Sequence, residues 1–91
     1  MTKKVFKYLI QITTHETTIE MPIGAKIISV GCQNDELFLW AHVDTEKATE
    51  KRKIAVYGTG HEVTHEGVFI GTVLMFDGSL VLHVMDCGMV T

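Results

Sequence analysis

Apolar and polar residues alternate with a period of two along most of this chain, and short turn signals interrupt the alternation. The clearest block is Val68 to Met85, VFIGTVLMFDGSLVLHVM, in which Asp77-Gly78 separates two runs rich in β-branched residues. Asp-Gly between such runs is a strong short-range signal for a hairpin. A two-residue loop sets the register, with Phe76 opposite Ser79, Met75 opposite Leu80, Val73 opposite Leu82 and Thr72 opposite His83. Val73, Met75, Leu80, Leu82 and Val84 then form a core face. The second face carries Ile70, Leu74, Val81 and Met85 with Thr72 and His83. It is also largely apolar and requires cover, from the chain or from another subunit.

The rest of the chain repeats this grammar. Val5 to Ile12 predicts a half-buried strand, with Phe6, Tyr8, Ile10 and Ile12 on one side and Lys7 and Gln11 on the other. Thr13 to Glu16 predicts a turn, and Thr17 to Met21 a short strand stopped by Pro22. Ala25 to Asp44 predicts a second hairpin around Asn34-Asp35. Its register places Cys32 opposite Leu37, Val30 opposite Leu39 and Ile28 opposite Ala41, six apolar residues on one face. The other face pairs Gly31 with Phe38, Ser29 with Trp40 and Ile27 with His42, so small residues leave room for aromatic rings. Asp44 to Arg52, DTEKATEKR, has no apolar face beyond Ala48 and predicts a linker, a solvated loop or at most one or two helical turns. Lys53 to Tyr57 predicts a strand running into Gly58-Thr59-Gly60-His61, a polar connection follows over 62–67, and the tail is expected to loosen from Asp86.

About six or seven short strands with no helical period predict an all-β fold, a small barrel or a two-layer sandwich of mostly antiparallel strands, in one domain over 1–91. A chain of 91 residues buries a limited share of its surface, so association with partners can supply part of its stability. The net charge of −3 argues against general binding to nucleic acid or to an anionic membrane surface. No apolar run approaches the roughly 18 residues of a membrane span, and no signal peptide is read at the start. Cys32 and Cys87 lie far apart without a CxxC spacing, which favours two reduced thiols.

Several motifs carry candidate chemistry. His61-Glu62-Val63-Thr64-His65 matches the HExxH zinc-protease signature. That chemistry needs a helix, so that both histidines share one face and the glutamate acts as base. The flanking glycines and the β-branched Val63 and Thr64 oppose a helix, and no metal or cofactor is expected. The five histidines are read as surface or turn residues rather than as a metal site. Tyr57-Gly58-Thr59-Gly60-His61 is either a turn whose glycines supply positive φ or a loop that offers N–H groups and a hydroxyl to an anion. Trp40, Phe38 and His42 share a face, either as a satellite core under the charged loop or as a stacking surface for a base or partner side chain. The candidate ligand-binding residues are therefore Trp40, His42, Tyr57, Gly58, Thr59, Gly60 and His61. No triad orders Cys87 with His83 and Asp86, and no catalytic residue is assigned.

The blocks IEMPIGAKIISV, LFLWAHVD, EKRKIAVYGTGHE and FIGTVLMFDGSLVLHV resemble a family of short phage- and prophage-encoded proteins that carry a domain of unknown function. The likeness spans about residues 4 to 85. It implies a viral accessory protein acting in the cytoplasm of the bacterial host, with no assigned activity to carry over. The leading expectation is a non-enzymatic, homo-oligomeric binding protein. It would occupy a host or defence protein, or sequester a small nucleotide signal between subunits. The alternatives are a structural or assembly module of the virion or replication machinery, and a small histidine-dependent nucleotide hydrolase.

Overall fold

A computed structural model of the chain describes residues 2–12 and 15–89. Its seven strands are β1 (Lys3–Ile10), β2 (Glu16–Pro22), β3 (Lys26–Gln33), β4 (Glu36–Asp44), β5 (Thr49–Gly58), β6 (Val68–Met75) and β7 (Leu80–Met89). They form two antiparallel sheets, β1-β4-β3 (sheet A) and β2-β5-β7-β6 (sheet B). The sheets do not close into a barrel; the fold is an all-β sandwich. Along one side β3 comes up against β6, where a Cβ on Gly71 would stand 2.9 Å from Val30 Cγ2.

The period-two pattern sets the core. Leu37, Leu39, Ala41 and Val43 of β4 point inward against Ile54 and Val56 of β5, Val73 and Met75 of β6, and Leu82 and Val84 of β7, all buried. Ile10 and Met21 close the same cluster from β1 and β2. Asn34 and Asp35 both take positive φ, as a two-residue type I′ turn demands. The pairs Cys32–Leu37, Val30–Leu39, Gly31–Phe38 and Ser29–Trp40 stand as their side-chain pattern predicts.

Two bulges alter the expected register. The β3 ladder skips Ile28, so Ile27 lies opposite Ala41 and Lys26 opposite His42. Ile27 packs on the core while Ile28 is exposed, because the extra residue turns the following side chain to the opposite face. In the same way the β6 ladder skips Ile70, which joins the core and leaves Phe69 opposite Met85 on the outer face. The Asp77-Gly78 hairpin keeps its register, Met75–Leu80 through Thr72–His83. Its loop, however, spans four residues, with Phe76, Asp77 and Gly78 all at positive φ and N–H bonds from Gly78 to Met75 and from Ser79 to Phe76.

Two polar segments are structured where the sequence suggested linkers. Strand β5 begins at Thr49, well inside the charged run, and β7 continues to Met89. One ion pair explains both extensions. Arg52 Nη2 and Nε donate to the Asp86 carboxylate at 2.8 and 3.1 Å, and Nη1 donates to the Ala25 carbonyl at 2.9 Å. This fork lies at one end of the core, only 14% and 17% of the two side chains being exposed. Gly88 at φ 83 lets its own N–H reach Asp86 Oδ1 at 2.9 Å. The expected turn at Thr13-Thr14 falls outside the described residues. Among the described residues, no helix is long and apolar enough to cross a membrane.

Candidate functional site

The topology of sheet B decides what its outer face looks like. Strands β5 and β6 are both antiparallel to β7, so they run in the same direction. The chain must therefore return the length of the sheet between them, and residues 59–67 make that crossing. They cover the outer side of β5, where Ala55 and Tyr57 are 0% and 2% exposed.

The crossing is fastened by Tyr57. Its phenol oxygen accepts N–H bonds from Thr64 at 3.2 Å and His65 at 2.8 Å. The phenol oxygen, the Thr64 hydroxyl and His65 Nδ1 then form a triangle of hydrogen-bond contacts, His65 Nδ1 lying 3.1 Å from each oxygen. On its other side His65 Nε2 lies 2.6 Å from Glu16 Oε2, and Lys53 Nζ stands 3.6 Å from the same oxygen. The network links β2, β5 and the crossing, with the phenol at its buried centre. A general base needs a lone pair facing a substrate; both nitrogens of His65 face protein groups. At the end of the crossing a Cβ on Gly67 would lie 2.6 Å from the Asp86 carbonyl oxygen and 2.9 Å from Cys87 Sγ, so only glycine fits. Burial, followed by the neighbouring Asp86 carboxylate, pushes the Cys87 thiol up from its ordinary value. Cys87 is unpaired, as is Cys32 on β3.

The HExxH residues lie in this crossing, which has no helical turn. His61 and His65 make different contacts, His65 with Glu16 and Tyr57, His61 with Gly58 and His15. The arrangement is not the shared helical face that a zinc protease requires.

The Gly-Thr-Gly-His stretch is a tight turn. His61 N–H donates to the Gly58 carbonyl at 3.1 Å, and Gly60 takes φ 88. The His61 ring lies on Gly58, where a Cβ would come within 2.9 Å of Cε1. Thr59 Oγ1 is 2.8 Å from His83 Nε2, and Thr72 Oγ1 holds the other nitrogen of that ring at 3.0 Å. The His61 N–H, a donor that an anion would have used, is thus engaged within the protein, and Thr59 Oγ1 is held against the His83 ring. What the turn creates is a wall of rings. His15 stacks on Tyr57 at 5.4 Å and meets His61 edge-on at 5.7 Å. Beside them opens a cleft of about 270 Å³ whose floor is Ile12, Val56, Leu80 and Leu82. A second cleft of about 420 Å³ lies between Leu9–Ile12 and Asp35–Leu37. Its charged lining is Asp35 and Glu36, which repel a phosphate.

Trp40 and His42 are not part of this cluster. They lie on the outer face of sheet A, with Phe38, and the candidate residues therefore divide between two opposite surfaces. Tyr57 is buried and supports the crossing, Gly58 and Gly60 shape the turn, and His61 walls the cleft. Glu16 carries no local signal, and His15 and His65 enter the sequence reading only through the rejected metal patterns, because the partners they meet here are distant in the chain.

No curated protein and no solved structure matches this chain. A family model described as a domain of unknown function, DUF7352, matches residues 1–88, and the chain belongs to that family.

Proposed function

We propose that this protein acts by binding rather than by catalysis, as a homodimer joined through the uncovered half of sheet B. One observation carries the reading. The crossing covers β5 and meets β7 only at His83 and around Asp86 and Cys87; beyond it Phe69 and Leu74 are 56% and 62% exposed, with Val81 and Met85 beside them. The apolar pairs Phe69–Met85 and Leu74–Val81 flank the Thr72–His83 pair on this face; a largely apolar exposed surface of this kind marks an interaction site, and self-complementary two-fold pairing is the commonest way to bury it. The cleft by His15 and His61 is smaller than the roughly 300–1,000 Å³ of sites that enclose a small molecule. A nucleotide held there needs walls from a second subunit. The likeness to phage-encoded proteins gives the role a setting: an accessory protein in the bacterial cytoplasm that occupies a host protein.

Sedimentation of the purified chain tests this. The wild type is expected to run as a dimer. Leu74→Glu is expected to run as a monomer with an unchanged circular dichroism spectrum, since an unpaired carboxylate is costly to bury in an interface. A wild-type monomer at tens of micromolar overturns the dimer. Native mass spectrometry of the same sample reads stoichiometry and any retained nucleotide together.

A further inference from the structure

We propose that the outer face of sheet A is a binding platform for single-stranded nucleic acid, with bases stacking on Trp40 and Phe38 and phosphates meeting Lys3, Lys7 and Lys26. The argument begins with the register. Phe38, Trp40 and His42 are alternate residues of β4, the central strand, and so stand in a row on one face. The ladder places Lys7 directly opposite Trp40, Lys26 opposite His42 and Lys3 opposite Asp44. One lysine thus stands beside the aromatic row on each side, Lys7 on β1 and Lys26 on β3, while the exposed Val5 and Leu9 lie opposite His42 and Phe38.

The side chains are arranged accordingly. The indole of Trp40 extends across β3 at Gly31, where a Cβ would come within 3.3 Å of Cζ3, so the ring has space because residue 31 is glycine. Phe38 lies 6.5 Å from it, ring centre to ring centre. Lys7 Nζ sits 4.3 Å above the Phe38 ring and donates to Gln33 Oε1 at 2.8 Å, so this exposed side chain covers the ring in the free protein and swings to a phosphate when a base stacks there. The carboxylates of this face lie at its ends. Asp44 is 8% exposed and accepts the Glu46 N–H at 3.0 Å, and Glu36 borders the Asn34-Asp35 turn. The crossing that screens sheet B does not reach this face.

The rings and the three lysines of this face fit a polyanion with accessible base faces. Aromatic rings accept any base by stacking, and flanking cations track the backbone. A duplex hides its base faces and offers such a sheet only phosphates. The net charge of −3 averages over the whole chain and conceals the three lysines gathered here. It does limit the strength of binding, which is expected to be weak and steeply dependent on salt.

Trp40 is the only tryptophan, so its emission reports on this face alone. The probe is an oligothymidylate of about a dozen nucleotides, titrated first at about 10 mM salt. Saturable quenching is expected, with a log–log salt slope of about −2, as three phosphate contacts on a single strand require. Lys7→Gln is expected to make the slope shallower by roughly 0.7, and Phe38→Leu to weaken binding roughly tenfold at constant slope, both with unchanged circular dichroism. Absence of quenching at low salt overturns the proposal. So does equal affinity for a duplex of the same length, or quenching indifferent to both substitutions. Trp40 emission that shifts with protein concentration alone would assign the face to a second copy and overturn it too. None of these outcomes depends on whether Leu74 lies in an interface.

Discussion

The two outer faces of this sandwich come from the same alternating pattern, yet they differ in what lies over them. Sheet A contains only antiparallel neighbours joined locally or from the chain start, and nothing among the described residues crosses its outside. Its central strand displays Phe38, Trp40 and His42, half-buried or exposed. Sheet B must connect two strands of like direction, and the return segment covers β5 and touches β7 at His83 and Cys87, while Phe69 and Leu74 of β6 stay exposed. The lesson is that an outward-facing residue can still be buried. Tyr57 and Trp40 both face outward, but Tyr57 is sealed under residues 61–65 and tied by hydrogen bonds, whereas Trp40 remains accessible.

The largest test of this contrast removes what both faces rest on. Leu39 is fully buried on the inner side of β4, and Leu39→Ala is expected to cost about 2–5 kcal/mol. Glu36→Ala, at the exposed turn three pairs away, should shift the denaturation midpoint far less. Similar midpoints for the two would mean that the β3–β4 register is wrong.

A sharper test uncovers β5 without touching the core. Tyr57→Phe leaves the Thr64 and His65 N–H groups without their acceptor, at an expected cost of about 1–3 kcal/mol. Hydrogen exchange should report it locally, with amides 61–67 losing protection before those of sheet A. Uniform loss across both sheets would show that the crossing is not a separate cover.

Cys87 offers a smaller effect beneath the same cover. Its raised thiol value means that the folded state holds the proton more tightly than the unfolded state. Stability is therefore fully present below the ordinary value of 9.0 and is lost as pH rises beyond it. Cys87→Ala should flatten that alkaline slope in chemical denaturation; an unchanged slope would assign it to another group, Tyr8 being a candidate because burial raises its phenol as well.

The smallest effect concerns the histidines of the crossing. His61→Ala and His65→Ala are expected to leave the metal content after purification unchanged, with no tightly held zinc in either variant or in the wild type. Stoichiometric zinc lost in both variants would restore the HExxH reading.

Periodicity in the chain determined the strands, the two hairpin registers near their turns, and the inward side of β4 and β7. These are local properties, since side chains alternate strictly and Asn34-Asp35 tolerates the positive φ that a tight turn needs. The aromatic row on β4 was legible for the same reason, and so was the space that Gly31 leaves for Trp40. Tertiary structure decided the rest. Whether Ile28 or Ile27 faced Ala41, and whether Ile70 faced in or out, depended on bulges that fit the two sheets together. Arg52 and Asp86 read as linker and tail because each charge alone favours water; paired across β5 and β7 they satisfy one another in the interior, together with the Ala25 carbonyl. Glu16, Tyr57 and His65 met only because β5 had to be followed by a return crossing. A pattern of alternation specifies which residues share a face, but strand order specifies which face receives a cover.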